Sequence, residues 1–207
     1  MNGNKDKIIL HLCASKYGSD TLDYVAAGYD VRLITEEIDV RTYVPPENVY
    51  GVFANPPCQK FSMASPIARS ERDFSGGIEL VESCLRIIWQ IQSKGAPLQF
   101  WALENPRGYL ERFLGKPAFE FQNWEFGDTG PLATKRTWLW GFFNEPARTT
   151  REREVDYIHD GSRMNKKPRL FAPSDIKPRN KNFLKMTSDQ RSIASPLFTK
   201  AFFQANP

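Results

Sequence analysis

The stretch VYGVFANPPCQKFS, residues 49–62, joins an apolar strand to a rigid polar turn. Residues 49–54 have the length and composition of a buried β-strand. Two prolines follow directly, which end the strand and fix the backbone in front of Cys58. A free cysteine is usually a small buried hydrophobe, but at a strand end beside Lys60 it can serve as an activated nucleophile. Cys58 is therefore a candidate catalytic residue.

The segments on either side repeat the order of strand followed by polar loop. Further strands are predicted at 8–12, 31–34, 99–103, 119–126 and 135–143, and helices at 22–26, 77–93 (with Ser75 as the cap) and 196–203. This alternation predicts an α/β fold, with a mostly parallel sheet and helices on both faces. Because ligands bind beyond the carboxyl ends of such strands, we expect segments 13–19, 55–62 and 104–108 to converge at one edge.

Length and composition exclude several classes of protein. A chain of 207 residues with 41% hydrophobic residues is typical of one compact domain. No apolar run approaches the roughly 18 residues of a membrane span, and no secretory signal is evident, so we expect a cytoplasmic protein without a membrane partner. Three cysteines and two histidines, none at metal-ligand spacing, exclude a disulfide framework and a structural zinc site.

Charge is distributed unevenly along the chain. Residues 146–207 contain 13 Lys and Arg against 6 Asp and Glu, and residues 161–191 contain 9 against 2, whereas residues 1–145 carry a net charge of −3. Such a segment suits a polyanionic partner, although a solvated basic tail is an equal alternative. We expect a core at 1–145, a basic DNA-contacting segment at 146–194, and a terminal helix at 195–207 that packs back on the core.

Glu104 is the second candidate for chemistry, because it directly follows an apolar strand in LENPRG, residues 103–108. Partial burial there would raise the pKa of the carboxyl group and allow it to donate a proton. The alternative is that Glu104 only caps the turn at Pro106.

The motifs NPPCQKFS and LENPRG together resemble the Pro-Cys-Gln nucleophile motif and the Glu-Asn motif of the DNA cytosine-5 methyltransferases, with Glu104 46 residues after Cys58. PLATKRTWLWG, residues 131–141, is similar to the family's Gln-x-Arg-x-Arg strand. Arg136 matches the second arginine, and Thr134 and Lys135 stand near the unmatched first one. HLCASKYGS resembles the methyl-donor loop, with a single glycine where several are usual, and SPLFTKAFF is weakly similar to the closing helix. The resemblance covers most of residues 8–143.

The resemblance implies a Rossmann-like S-adenosylmethionine-dependent fold and methyl transfer to C5 of cytosine in DNA. Cys58 would add to C6 of the ring, Glu104 would hold or protonate N3, and Arg136 would contact the ring carbonyl. The cytosine must be flipped from a duplex or lie in a single strand. S-adenosylmethionine is the expected cofactor, and the family uses no metal.

The resemblance and the predicted strand ends together indicate which residues bind the cofactor and which contact DNA. The residues expected to bind the cofactor are Ala14, Ser15, Gly18, Glu37, Asp39, Asn55 and Pro56. Glu37 is assigned to the ribose and Asp39 to the adenine, with Glu36 as a competitor. The residues expected to contact DNA are Lys60, Ser62, Arg107, Lys135, Lys166, Lys167 and Arg169. Only 66 residues follow Gly141, too few for the family's usual target-recognition domain. This favours a bacteriophage or mobile-element origin and, if the protein is phage-encoded, a bacterial host cytoplasm.

Three other interpretations remain open. Amino methyltransferases acting on adenine N6 or cytosine N4 also have Asn-Pro-Pro, but an aromatic residue stands where this chain has Cys58. An enzyme resembling thymidylate synthase would also use a cysteine after proline, but a histidine usually follows it, and here Gln59 does. The third interpretation is a methyltransferase-like module that binds DNA without catalysis.

Overall fold

The computed structural model describes residues 3–62, 73–95, 98–128, 132–133, 135–149, 156–158, 167–169 and 192–207. Six strands form the main sheet: β1 (Ile8–Leu12), β2 (Asp30–Ile34), β3 (Val49–Ala54), β4 (Phe100–Pro106), β5 (Phe119–Gln122) and β6 (Arg136–Phe142). The α-helices are α1 (Leu22–Ala26), α2 (Phe74–Ser93), α3 (Glu111–Leu114) and α4 (Pro196–Ala205). Short 3₁₀ helices span Ser19–Thr21 and Asn123–Phe126, and β7 (Asp156–Ile158) pairs with β8 (Lys167–Arg169) in an antiparallel sheet of two strands.

The main sheet has the strand order β2-β1-β3-β4-β6-β5. The pairs β2–β1, β1–β3 and β3–β4 are parallel, whereas β6 is antiparallel to both β4 and β5. The α/β class is confirmed, but the expectation of a mostly parallel sheet is wrong, because the sheet is mixed. The described part of the connection from β5 to β6 contains a short 3₁₀ helix and no α-helix, whereas the crossover between parallel strands is usually an α-helix.

Helices cover both faces of the central strands. All five residues of β1 are buried, as expected for a strand between two packed layers. Alternate residues point to opposite faces: Leu10 packs in the cluster that contains Ile88 of α2, whereas Ile9 packs in the cluster that contains Tyr24 of α1 and Phe202 of α4. Each face of the sheet therefore has its own apolar core. The edge of the sheet, between the two layers of helices, is left as the place for a functional site.

Two helix starts show how local sequence sets the boundaries. α2 begins at Phe74, three residues earlier than expected, because Asp73 rather than Ser75 is the cap; its Oδ1 accepts a hydrogen bond of 3.0 Å from the Gly76 amide. α4 begins with Pro196 in the first turn, where the lack of an amide hydrogen removes no hydrogen bond of the helix. Among the described residues, no helix combines the length and apolar character that a bilayer crossing requires.

Candidate active site

The carboxyl ends of β1, β3 and β4 lie level at one edge of the sheet. In the register, Leu12 pairs with Ala54, and Ala54 pairs with Leu103. Asn55, which follows β3, and Glu104, which lies in β4 two residues before its end, are therefore neighbours. The chain leaves β1 for β2 on one side, while β3 lies on the other side, so the strand order reverses between β1 and β3. Such a reversal opens a crevice at the carboxyl edge.

A tight turn holds Cys58. Its carbonyl oxygen accepts hydrogen bonds from the amides of Phe61 at 3.0 Å and Ser62 at 2.8 Å. The Cys58 side chain is partly exposed, whereas the phenyl ring of Phe61 is buried in the core below. Gly77 of α2 allows this packing, because a Cβ there would lie 2.9 Å from the Phe61 ring. The buried Phe61 thus fixes the turn that presents the sulfur.

The loop after β4 clamps the Cys58 turn from the other side. Asn105 is fully buried, and its Nδ2 donates to the Pro56 carbonyl at 3.0 Å. The Tyr109 amide donates to the Phe61 carbonyl at 2.8 Å. Gly108 is needed at this contact, because a Cβ there would lie 2.2 Å from the same carbonyl oxygen. The Asn105–Gly108 segment and the Cys58 turn therefore form one unit.

Glu104 forms an enclosed ion pair with Lys135. Its Oε1 lies 3.4 Å from Nζ of Lys135, with 16% of the Glu104 side chain and 20% of the Lys135 side chain exposed. The pKa of Glu104 is raised, because burial outweighs the attraction of Lys135, and the charge of Asp20 acts in the same direction as burial. The carboxyl group is therefore biased toward its protonated form, as a general acid requires.

Lys135 links the two candidate catalytic residues. Burial is the largest effect on its pKa and lowers it, but the combined attraction of Glu104, Asp20 and the Cys58 sulfur outweighs burial and leaves the pKa raised. The ammonium group therefore stays charged within electrostatic reach of both Cys58 and Glu104. The resemblance had assigned Lys135 to DNA, and the structure places it in the site instead.

Arg136 is not brought into the site. Its side chain is exposed at the start of β6, whereas the side chain of Lys135, the residue before β6, reaches Glu104. The Arg136 carbonyl instead accepts a hydrogen bond of 3.2 Å from the Arg107 amide. Arg136 was matched to the family's second arginine, but it is the preceding residue, Lys135, whose side chain lies in the site.

A small cleft opens beside this cluster. Its polar lining includes Asp20, Asn55, Glu104 and Lys135, and residues 192–195 in front of α4 form one wall. The Oδ2 of Asp20 accepts a hydrogen bond from Nδ2 of Asn55 at 3.2 Å. Sequence reasoning missed Asp20, although it directly follows the loop 13–19 that the strand pattern had singled out.

His11 lies beneath the cleft, fully buried in β1. Its Nε2 is 3.7 Å from Oδ2 of Asp20, and its Nδ1 is 3.4 Å from the hydroxyl of Thr21. Burial lowers the pKa of His11, and this effect exceeds the opposite effects of Asp20 and Asn55. A neutral imidazole therefore supports the floor of the cleft.

Two amides of the expected cofactor loop are already occupied by protein partners. The Ala14 amide donates to the Ile34 carbonyl at 2.9 Å, and the Gly18 amide donates to the Ser15 carbonyl at 3.0 Å. Gly18 has φ +53°, and a Cβ there would lie 2.9 Å from the Leu33 side chain, so conformation and packing both favour glycine. The loop shapes the crevice, but two of its amides already have protein partners.

The acids assigned to the cofactor lie beyond β2. Glu37 and Asp39 are both exposed. Oδ1 of Asp39 accepts hydrogen bonds from the Arg41 amide at 2.9 Å and from Nη1 at 3.3 Å. These bonds, led by the one from the amide, lower the pKa of Asp39. Asp39 is thus engaged by its own turn, whereas Pro56 and Asn55 lie at the crevice itself.

The residues assigned to DNA are in different surroundings. Lys60 and Arg107 are exposed near the Cys58 turn, and Nζ of Lys60 lies 3.8 Å from Asp73. Ser62 forms an isolated bridge with Gly108 and so belongs to the clamp. Lys167 and Arg169 lie on β8, whereas Lys166 lies outside the described residues.

Thr134 also lies outside the part of the chain that the structure describes. Within that part, no three His, Cys, Asp or Glu side chains are grouped so as to hold a metal ion.

Neither the family models nor the curated proteins contain a match to this chain.

Proposed function

We propose that the protein is an S-adenosylmethionine-dependent DNA cytosine-5 methyltransferase that acts through a covalent Cys58 adduct. The supporting observation is the cluster at the carboxyl edge of β3 and β4, where Lys135 lies 3.4 Å from Glu104 and is also attracted by Cys58. A nucleophile, a carboxyl group of raised pKa and a cation are the groups that this reaction needs.

The chemistry assigns each of these residues a role. The Cys58 thiolate adds to C6 of cytosine, and the electron pair of the C5–C6 bond makes C5 nucleophilic. Protonated Glu104 donates a hydrogen bond or its proton to N3 and so stabilises the adduct. Lys135 stabilises the thiolate before the addition. S-adenosylmethionine, when bound, supplies an electrophilic methyl group to C5. Loss of the C5 proton and expulsion of Cys58 restore the aromatic ring.

The residues of the crevice fit this cofactor. Oδ1 of Asn55 and Oγ of Ser195 are buried and have no hydrogen-bond partner among the described residues. Both residues line the cleft, together with the carboxylate of Asp20. Unpartnered buried polar atoms are costly, and a ligand with polar groups satisfies them. We expect Glu37 and Asn55 to bind the two ends of the nucleoside part of the cofactor in this crevice.

Covalent trapping tests the proposal. A duplex containing 5-fluorocytosine cannot lose a proton from C5, so the adduct accumulates after methyl transfer and is visible on a denaturing gel. We expect trapping by the wild-type protein with S-adenosylmethionine, none by Cys58→Ala, and undiminished trapping by Cys84→Ala, which removes a buried thiol of α2 outside the site. A covalent complex that survives Cys58→Ala would overturn the mechanism.

One observation favours a second candidate, an amino methyltransferase acting on adenine N6 or cytosine N4. The unpartnered Oδ1 of Asn55 lines the cleft and is a suitable acceptor for an exocyclic amino group. Nucleoside analysis of methylated DNA separates the candidates: 5-methylcytosine supports the first, whereas N4-methylcytosine or N6-methyladenine supports the second.

A further inference from the structure

Two cysteines are in contact where the loop after β1 packs on α2. Sγ of Cys13 lies 3.8 Å from Sγ of Cys84, although the two residues are 71 positions apart in sequence. Cys84 is fully buried in α2, in the apolar cluster that also contains Val81 and Ile88. Cys13 is the first residue after β1 and is partly exposed. One member of the pair can therefore be reached from solvent, and the other is held against it by the core.

The backbone of Cys13 has an unusual conformation for a cysteine. Its φ is +52°, in the left-handed region. In the described part of the chain, the other non-glycine residue with a positive φ is Asn48, and asparagine adopts this conformation more readily than most residues. Glycine at position 13 would avoid the strain. Because strained residues cluster at functional positions, the conformation indicates that the Cys13 thiol has a use beyond filling space.

The surroundings give the two thiols different reactivity. The hydrogen bond with Cys84 lowers the pKa of Cys13, and the charge of Arg41 adds to this effect, whereas burial opposes it. The same hydrogen bond, together with burial, raises the pKa of Cys84. The thiolate is the reactive form of a cysteine, so Cys13 is the sulfur that attacks an oxidant first. Cys84 keeps its proton and is placed to react second.

We propose that Cys13 and Cys84 form a reversible disulfide on exposure to a peroxide, at a site separate from Cys58. The inference does not depend on the proposed function, because it involves neither a methyl donor nor DNA. The bond would tie the loop 13–19, which shapes the crevice, to the long helix α2.

The reaction has two steps. The Cys13 thiolate attacks one oxygen of hydrogen peroxide, the O–O bond breaks, and hydroxide leaves, which produces a sulfenic acid on Cys13. The Cys84 sulfur then attacks Sγ of Cys13, so that the S–S bond forms and the S–O bond breaks. The two departing hydroxides take up the two thiol protons as water. Two thiols are thus oxidised to a disulfide while one peroxide is reduced to two molecules of water, and an added dithiol reverses the change by exchange.

Thiol counting and peptide mapping test the inference on the full chain. The chain has three cysteines, so Cys58→Ser retains only the proposed pair. Treatment of this folded variant with hydrogen peroxide should reduce its free thiols from two to none and lower the mass of the single chain by about 2 Da, the mass of two hydrogen atoms. The peptide map should show Cys13 linked to Cys84, and dithiothreitol should restore both thiols. Two thiols that persist, or a link that joins two chains, would overturn the inference.

Labelling with dimedone, which reacts with sulfenic acids, assigns the order of attack. With Cys58 replaced by serine as well, Cys84→Ser should be labelled at Cys13, because the sulfenic acid then has no second thiol to react with. Cys13→Ser is the matched control, and its buried Cys84 should stay unlabelled. Label on Cys84 in place of Cys13 would show that the assignment of Cys13 as the first sulfur is wrong. If the variants do not fold, the peptide map of the oxidised wild-type protein decides: it must show the link between Cys13 and Cys84.

Discussion

Nζ of Lys135 lies 3.4 Å from Oε1 of Glu104, and both side chains are largely enclosed. This pair joins the residue before β6 to β4 at the edge where Cys58 emerges, so one cation acts on two groups with opposite requirements. In the proposed mechanism, Glu104 must keep a proton, and Cys58 must lose one. A single ammonium group cannot favour both changes equally, because it stabilises negative charge on each.

Replacement of Lys135 should therefore change the pH profile as well as the rate. Lys135→Met removes the cation that lowers the pKa of Glu104, so this pKa should rise further. If protonated Glu104 is the active form, activity falls as pH rises through its pKa, and the alkaline limb should move to higher pH in the variant. Turnover should also fall, because the Cys58 thiolate loses its counter-charge. Lys135→Arg should retain the wild-type limb, and profiles of single-turnover methyl transfer provide the measurement.

Glu104→Gln should lower turnover by about 10²- to 10⁴-fold, the usual contribution of a positioned general acid. The amide retains the size of the side chain but cannot supply the proton to N3. Binding of S-adenosylhomocysteine should change little. Tritiated methyl incorporation and calorimetry measure the two properties separately. Unchanged turnover would remove Glu104 from the mechanism.

His11 should make stability depend on pH below neutrality. Its folded-state pKa is lowered from 6.5 by burial, so the unfolded chain binds the proton more readily. The contribution of His11 to the free energy of unfolding is complete above the pKa of the unfolded state, about 6.5. It is lost as pH falls from there toward the pKa of the folded state, and the free energy of unfolding then changes by up to about 1.4 kcal/mol per pH unit. Urea unfolding between pH 7.5 and pH 5 should show this loss, and His11→Gln should flatten it. Parallel curves for both proteins would contradict the prediction.

The basic segment should contribute DNA affinity without sequence choice. Lys166→Ala, Lys167→Ala and Arg169→Ala combined remove three charges, and each phosphate contact adds about 0.9 to the slope of log affinity against log salt. The slope should therefore decrease by roughly two to three units on any duplex. Fluorescence anisotropy on two unrelated duplexes over a salt series measures it. A loss confined to one duplex would indicate base recognition, and wild-type binding would indicate a solvated tail.

Much of the scaffold could be predicted because strands and breaks are local properties. The apolar run of β1, and the prolines that end β3 at Cys58, are visible in any short window of the sequence. Neither the antiparallel insertion of β6 between β4 and β5 nor the resulting mixed sheet is local, because strand pairing depends on distant partners.

The polar interior of the site was harder to predict for a related reason. Asp20 and Ser195 are 175 residues apart in sequence, and neither carries a motif that marks it. Lys135 was noticed, but its contact with Glu104 was not, because that contact depends on how β6 pairs with the distant strand β4. Strand ends therefore identify the edge that holds a site more readily than they identify the residue that points into it.

Residues 192–195 form one wall of the cleft, and this affects the order in which parts of the protein fold. The Ala194 amide reaches back to Ser19, and Tyr24 donates to the carbonyl of Asn206 at 2.7 Å, so the cleft is closed by contacts between opposite ends of the chain. Contacts across such long loops carry the greatest closure entropy and are slow to form. On a ribosome, the sheet edge with Cys58 would emerge and fold while the cleft still lacked a wall, and ligand-binding competence would come last.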